Sequence, residues 1–287
     1  MKIKKILTSM TQAILLSIGL LISLGAGLAI GYVGGLVKDQ PVLTQKEMKE
    51  QINNISKNSE VYFGSGEKLG TINSELIRKT VTYENIGDNV KNAIIASEDS
   101  NFYSNSGIDI WAVLRATHSE ATGARTTGGS TITQQLVKNQ LLDNSRSYER
   151  KAKEILLALR VDSHFSKNEI LENYLNVAPF GKNSLGQNIS GIETAAQGVF
   201  GVHSKELNIA QAAYLVGFVQ LPYTYTPFDS AGNIRPDEEL QAGFERQQYV
   251  LERMLSNDFI TKEQFEEAKK FDIKGAYTKQ KYSEYTD

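Results

Sequence analysis

The chain has 287 residues, 40% of them apolar, which is enough to bury a substantial core in one or two domains. Its net charge of −2 leaves no basic excess of the kind nucleic-acid binding needs, so that class of partner is excluded for the chain as a whole. With no cysteine, disulfides, thiolate metal sites and cysteine nucleophiles are excluded together, and three histidines, His118, His164 and His203, are too scattered for a zinc motif.

Lys2, Lys4 and Lys5 open the chain, and between Lys5 and Lys38 no charged residue occurs. Residues 13–37 are rich in Leu, Ile, Val, Ala and Gly and are long enough to cross ~30 Å of hydrocarbon as a helix. A transmembrane helix is therefore expected at 13–37, behind a cytoplasmic tail at 1–12. The stretch is too long for a removable signal and ends at no clear small-residue cleavage site. By the positive-inside rule, everything after Lys38 lies on the outer face of the membrane. Gly27, Gly31 and Gly35 recur every four residues, a spacing found in helix-pairing faces and also common in membrane helices generally.

Residues 38–75 read as a connector. A polar helical pattern from Gln45 to Lys57 is followed by EVYFGSGEKLGTI, two alternating runs around a Ser-Gly-Glu turn, which predicts a small β-hairpin. The body, 76–275, has helical periodicity over roughly 89–98, 110–120, 130–142, 148–165, 167–176, 190–200, 205–219, 238–255 and 262–270. Its fold class is mainly α. SEATGARTTGG, Ser119 to Gly129, is the longest breaker-rich interruption and is expected to be a mobile loop. Residues 276–287 lose periodicity and read as a linker leading to a transpeptidase domain absent from the chain.

Several constellations carry chemistry. In AIIASEDSNFYSNSGID an apolar helix delivers Glu98 and Asp99 at its C-terminal end, where the macrodipole disfavours negative charge; such an acidic pair is either solvated or kept for chemistry. GGSTITQQLVKNQ opens on a Ser N-cap and places Ser130, Gln134, Gln135 and Lys138 on one helix face, with Ile132, Leu136 and Val137 turned elsewhere. On the next helix Arg146, Arg150, Lys153 and Glu154 form a stripe, with Ile155, Leu156 and Leu159 facing inward. That stripe reads equally as an ion-pair array or as a clamp for diphosphate oxygens.

The order SEDSNFYSNSGID, GGSTITQQ, RKAKE, EILENYLN and AAQGVF…AQAAYLVGFVQLP resembles the five successive motifs of the peptidoglycan glycosyltransferase family, as found in class A penicillin-binding proteins and monofunctional transglycosylases. The resemblance spans Val81 to Arg253. It implies a lysozyme-like, bilobal domain whose smaller lobe dips into the membrane and includes IWAVL, Ile110 to Leu114. The implied reaction polymerises lipid II with inversion at the anomeric carbon and releases undecaprenyl diphosphate. Glu98 matches the family's general base. Glu154 matches the second glutamate, which with Arg150, Lys151 and Lys153 attends the leaving diphosphate; a divalent metal, magnesium or manganese, at Glu154 is the cofactor the family allows. Ser130, Gln134, Gln135, Lys138 and Arg146 match donor-side contacts, and Asp99 and Phe102 shape the first motif. Many members carry a histidine where this chain has Asn105, which leaves the role of that position open.

The implied partners are lipid II, the growing lipid-linked glycan, the membrane and other cell-wall synthesis and division proteins. Two other classes compete. A lysozyme-like cleft can cleave glycan, but neutral glycan has no diphosphate for the cationic stripe to hold; a silent scaffold has no use for both glutamates. Ser65-Gly66-Glu67-Lys68 fits the SxxK of a transpeptidase by letter only, and no KTG triplet occurs.

Overall fold

The computed structural model describes residues 2–38, 43–53, 60–62, 68–71, 76–112, 115, 129–143 and 147–278. Residues 119–128 of the mobile loop expected at 119–129, Val113 and Leu114 of the apolar run, Arg146, the hairpin turn at 63–67 and residues 279–287 of the linker expected from 276 lie outside these residues.

Helix α1 (Lys2–Val37) begins at Lys2 rather than at Ala13, and its segment Met10–Leu28 has the length and hydropathy to cross a membrane. Lysine and leucine are good helix formers, so the helix runs past the apolar portion that hydropathy marks. The polar α2 (Gln45–Asn53) buries only Met48 and Ile52. The hairpin forms as expected: β1 (Glu60–Tyr62) pairs antiparallel with β2 (Lys68–Thr71) through a register shift.

A three-stranded sheet was not legible in the sequence. In it, β3 (Leu76–Arg78) runs parallel to β5 (Asn188–Ser190), and β4 (Pro179–Lys182) pairs antiparallel with β5. Strands of three or four residues are too short to display an alternating pattern. Ser190 belongs to β5 rather than to the following helix, and Gly191, at φ 87°, turns the chain into α7 (Ile192–Phe200).

The remaining body is helical: α3 (Asp88–Glu98), α4 (Ile132–Gln140), α5 (Tyr148–His164), α6 (Lys167–Val177), α8 (Ile209–Phe218), the short α9 (Pro222–Tyr225), α10 (Asp237–Ser256) and α11 (Lys262–Lys270). The run expected as one helix over 205–219 is split into a 3-10 turn (Ser204–Glu206) and α8, because the Asn208 side chain caps Gln211 and closes a capping box. Helices α3, α8 and α10 pack against one another, helped by the small residues Ala210, Ala212 and Ala213 of α8, while α4 lies against α5 and α6. Their junction sets the two glutamates.

Candidate active site

Glu98 is the last residue of α3, whose Val90, Ala93, Ile94 and Ile95 are buried and fix the helix in the core. Asp99 then leaves the helix and is itself nearly buried. Its carboxylate accepts two bonds from Nδ2 of Asn105, at 2.9 and 3.1 Å, and one from the backbone N–H of Ile132 at 3.1 Å. Burial pushes Asp99 up to about 6, against the bonds from Ile132 and Asn105 and the charge of Lys167, which act to lower it. Asn105 accepts from the Gly107 backbone at 3.0 Å, and Lys167 donates to the Asn105 carbonyl at 2.8 Å.

Gly107 is a glycine for two reasons. Its φ is +85°, and a Cβ there would come within 2.5 Å of the Ala158 carbonyl on α5. Its own carbonyl accepts from Thr131 Oγ1 at 2.6 Å. The loop after Glu98 is thus stitched to the start of α4 at Thr131 and Ile132. Asp99 and the Gly107 carbonyl make these stitches, Asn105 braces both from within the loop, and Phe102, fully buried, packs beneath Lys167.

Helix α4 starts one residue later than its sequence suggests. Thr131, not Ser130, is the N-cap, and it forms a capping box with Gln134. Gln134 is therefore buried rather than displayed on the polar face with Gln135 and Lys138. Consecutive residues leave a helix about 100° apart, so the two amides serve different glutamates. Gln134 Nε2 lies 3.4 Å from Glu154 Oε1, and Gln135 Nε2 donates to Glu98 Oε2 at 3.1 Å. Lys138, one turn on, is exposed.

The second oxygen of Glu98 is held from a helix in which the sequence singles out no site residue. Nη2 of Arg246, on α10, donates to Glu98 Oε1 at 2.9 Å, and its guanidinium stacks over Tyr249 at 4.5 Å. Arg246 Nε is buried without a partner among the described residues. An unpaired buried donor costs about 1–3 kcal/mol, which a purely structural arginine has no reason to carry. The signal was present: Arg246 follows buried Gly243 by three residues and precedes buried Val250 by four, a charge on the inward stripe. Glu98 keeps 15% of its side chain exposed, so the carboxylate is oriented yet reachable.

Glu154 sits on α5, buried, under two cations. Lys151 Nζ bonds its Oε1 and also donates to Ser130 Oγ at 3.0 Å, while Arg150 Nη1 lies 3.5 Å from its Oε2. Lys153 faces the other way and pairs with Glu149 at 2.9 Å, so Lys151 takes the place expected for it in the stripe. The apolar face of α5 also differs from expectation. Ala152, Ala158 and Val161 turn inward with Glu154, whereas Leu156 and Leu159 are exposed. Small residues on the inner face allow the close approach to α4 that brings Lys151 to Ser130.

These residues do not fit a metal held by the protein. Glu154 offers one carboxylate whose oxygens already face a lysine, an arginine and an amide, and among the described residues no group of three or more His, Asp or Glu side chains is placed to bind a cation.

One oriented, accessible carboxylate next to a cluster of cations is the equipment for moving a proton beside an anionic group. A family model described as Transglycosylase matches residues 65–255. Penicillin-binding protein 1A of Aquifex aeolicus is 41% identical over 230 residues, covering 79% of this chain and 30% of that protein. Penicillin-binding protein 1A of Clostridium perfringens is 35% identical over 255 residues (87% and 36%), and penicillin-binding protein 1A/1B of Bacillus subtilis 36% over 255 (85% and 26%). A crystal structure of penicillin-binding protein 1A from Haemophilus influenzae covers 79% of this chain at 20% identity and a TM-score of 0.43, too loose a likeness to carry weight. The chain belongs to the transglycosylase family, the peptidoglycan glycosyltransferase domain of class A penicillin-binding proteins. It spans about a third of the length of the first of these relatives.

Proposed function

We propose that the domain polymerises lipid II. The 4-hydroxyl oxygen of an incoming lipid II attacks the anomeric carbon of the growing chain from the face opposite the diphosphate. The proton passes to Glu98, the bond from C1 to the diphosphate oxygen breaks, and undecaprenyl diphosphate leaves with the electron pair, giving inversion. The observation that carries this reading is Glu98 held between Gln135 and Arg246 with part of its carboxylate still open. Both neighbours donate to its oxygens, so they fix the orientation of the carboxylate while leaving part of it open to an attacking hydroxyl.

Arg150 and Lys151, with Lys138 and Arg146, meet the leaving diphosphate. Cations placed where charge grows stabilise the transition state more than bound substrate. Glu154 serves as their anchor: it holds Arg150 and Lys151 in place rather than binding metal. The N-terminal helix lies across the membrane with its lysines in the cytoplasm and the domain on the outer face, and Ile110 and Trp111, 63% and 73% exposed, touch the lipid where the substrate is embedded. Incubation with labelled lipid II tests the reading: polymer supports it, while fragments released from preformed glycan would indicate cleavage instead, and no product a silent scaffold.

A further inference from the structure

Behind the pair of Glu98 and Gln135 lies a buried hydroxyl that bonds the far end of the same amide. Tyr174, on α6, is fully buried. Its Oη donates to Gln135 Oε1 at 2.9 Å, and that amide's other end donates to Glu98 Oε2 at 3.1 Å. We propose that Tyr174 is a positioning residue for glycosyl transfer, fixing which end of the Gln135 amide faces Glu98. The proposal rests on the reading of Glu98 as the base.

A primary amide has a donor end and an acceptor end that exchange by a half-turn of its last torsion. While Glu98 is ionised, it selects the donor end by itself, because the amide oxygen would face a negative charge. The selection lapses once Glu98 has taken the proton. A neutral carboxyl is then a donor, and an amide free to turn would present its oxygen and hold that proton in place. Tyr174 opposes the turn. Burial, and then the charge of Glu98, raise its phenol well above the ordinary range, so it remains a donor throughout the working pH range. Gln135 Oε1 is the acceptor it meets among the described residues, and a turned amide would leave the phenol proton unpaired in a dry site. The chain from Tyr174 through Gln135 thus keeps the donor end of the amide on Glu98 as the proton arrives and as it leaves, so the base starts each cycle in the same geometry.

The test is Tyr174→Phe in the full chain, reconstituted in detergent with labelled lipid II. The ring keeps its packing, so the melting temperature checks that the fold is intact. Expected is a fall in kcat of about tenfold, the value of one buried hydrogen bond, with KM for lipid II nearly unchanged. Placed in a Gln135→Ala background, the same substitution is expected to add nothing, since the amide it orients is gone; a merely structural tyrosine would cost the same in both backgrounds. Wild-type kcat in Tyr174→Phe, or an equal loss with and without Gln135, overturns the proposal. Should Tyr174→Phe not fold, Gln135→Leu decides, with a comparable fall in kcat expected and an unchanged kcat contradicting it. Glu98→Gln run alongside separates the two levels. An inactive Glu98→Gln with a fully active Tyr174→Phe leaves the base in place and removes Tyr174, whereas an active Glu98→Gln removes the base and with it this proposal.

Discussion

Nη2 of Arg246 lies 2.9 Å from Oε1 of Glu98, joining the middle of α10 to the last residue of α3 across 148 positions of sequence. A glycine makes room for this contact. A Cβ on Gly217 of α8 would stand 3.0 Å from Arg246 Cγ, so the third helix of the packed trio is cut back where the arginine passes.

Gly217→Ala should therefore separate stability from activity. Alanine gains about 0.5–1 kcal/mol of helix propensity over glycine, offsetting the tight contact, so the melting temperature should change little. Arg246, already fixed by Glu98 and Tyr249, must shift by a few tenths of an ångström, and turnover should fall several-fold. Arg246→Met should fall further, by about 10–100-fold, as expected for losing a charge-assisted bond. If Gly217→Ala and Arg246→Met both polymerised lipid II at the parent rate, Arg246 would be scaffold after all.

Asp99 predicts a pH dependence of stability. Its folded value of about 6 lies above the ordinary carboxylate value of 3.8, chiefly through burial. The folded state therefore binds this proton more readily than the unfolded chain does. The contribution is fully present below 3.8 and is lost as pH rises through about 6. Relative to Asp99→Asn, the parent should lose on the order of 2–3 kcal/mol between pH 4 and 6 and stay level above 7. Denaturant melts at several pH values measure it, and a constant difference would mean that Asp99 titrates as an exposed acid.

Much of this arrangement was legible in the sequence, and what was not has a physical pattern. The long amphipathic helices announce themselves by period, and Glu98, Gln135 and Glu154 sit within local motifs. Arg246 and Tyr174 do not, because each lies on the inward stripe of a helix that otherwise reads as core, and only the fold brings them to Glu98. Gln134 differs from its sequence expectation because the N-cap is Thr131 rather than Ser130, which makes it half of a capping box instead of a displayed amide. Lys151 and not Lys153 reaches Glu154 because it lies three residues before it on the same face, whereas Lys153 is the adjacent residue, points elsewhere and pairs with Glu149 four residues back.

Glu154→Gln should lose most activity, because the amide no longer attracts both Arg150 and Lys151. Any response of the parent to magnesium or manganese should persist in the variant, if the role of Glu154 is to anchor Arg150 and Lys151. Lys151→Met should cost little stability, about 1 kcal/mol or less, because Lys151 is 41% exposed and Arg150 and Gln134 still face the Glu154 carboxylate. Loss of the metal response in Glu154→Gln would make it a ligand.

Trp111 is the chain's single tryptophan, so its emission reports on one place. With 73% of the residue exposed beside Ile110, contact with lipid should shift emission to the blue and make it strongly quenched by vesicles with brominated acyl chains. Emission equal in buffered detergent and in brominated vesicles would keep this part of the domain out of the membrane.

The central claim is that Glu98, oriented by Gln135 and Arg246, takes the proton from the attacking hydroxyl. Glu98→Gln keeps the shape of the side chain but cannot accept a proton, so the direct measurement is polymer formed from labelled lipid II by that variant, alongside its melting temperature and lipid II binding. The account predicts a folded protein that still binds lipid II and makes no detectable glycan. A Glu98→Gln variant that retained a substantial share of the parent's turnover would contradict it.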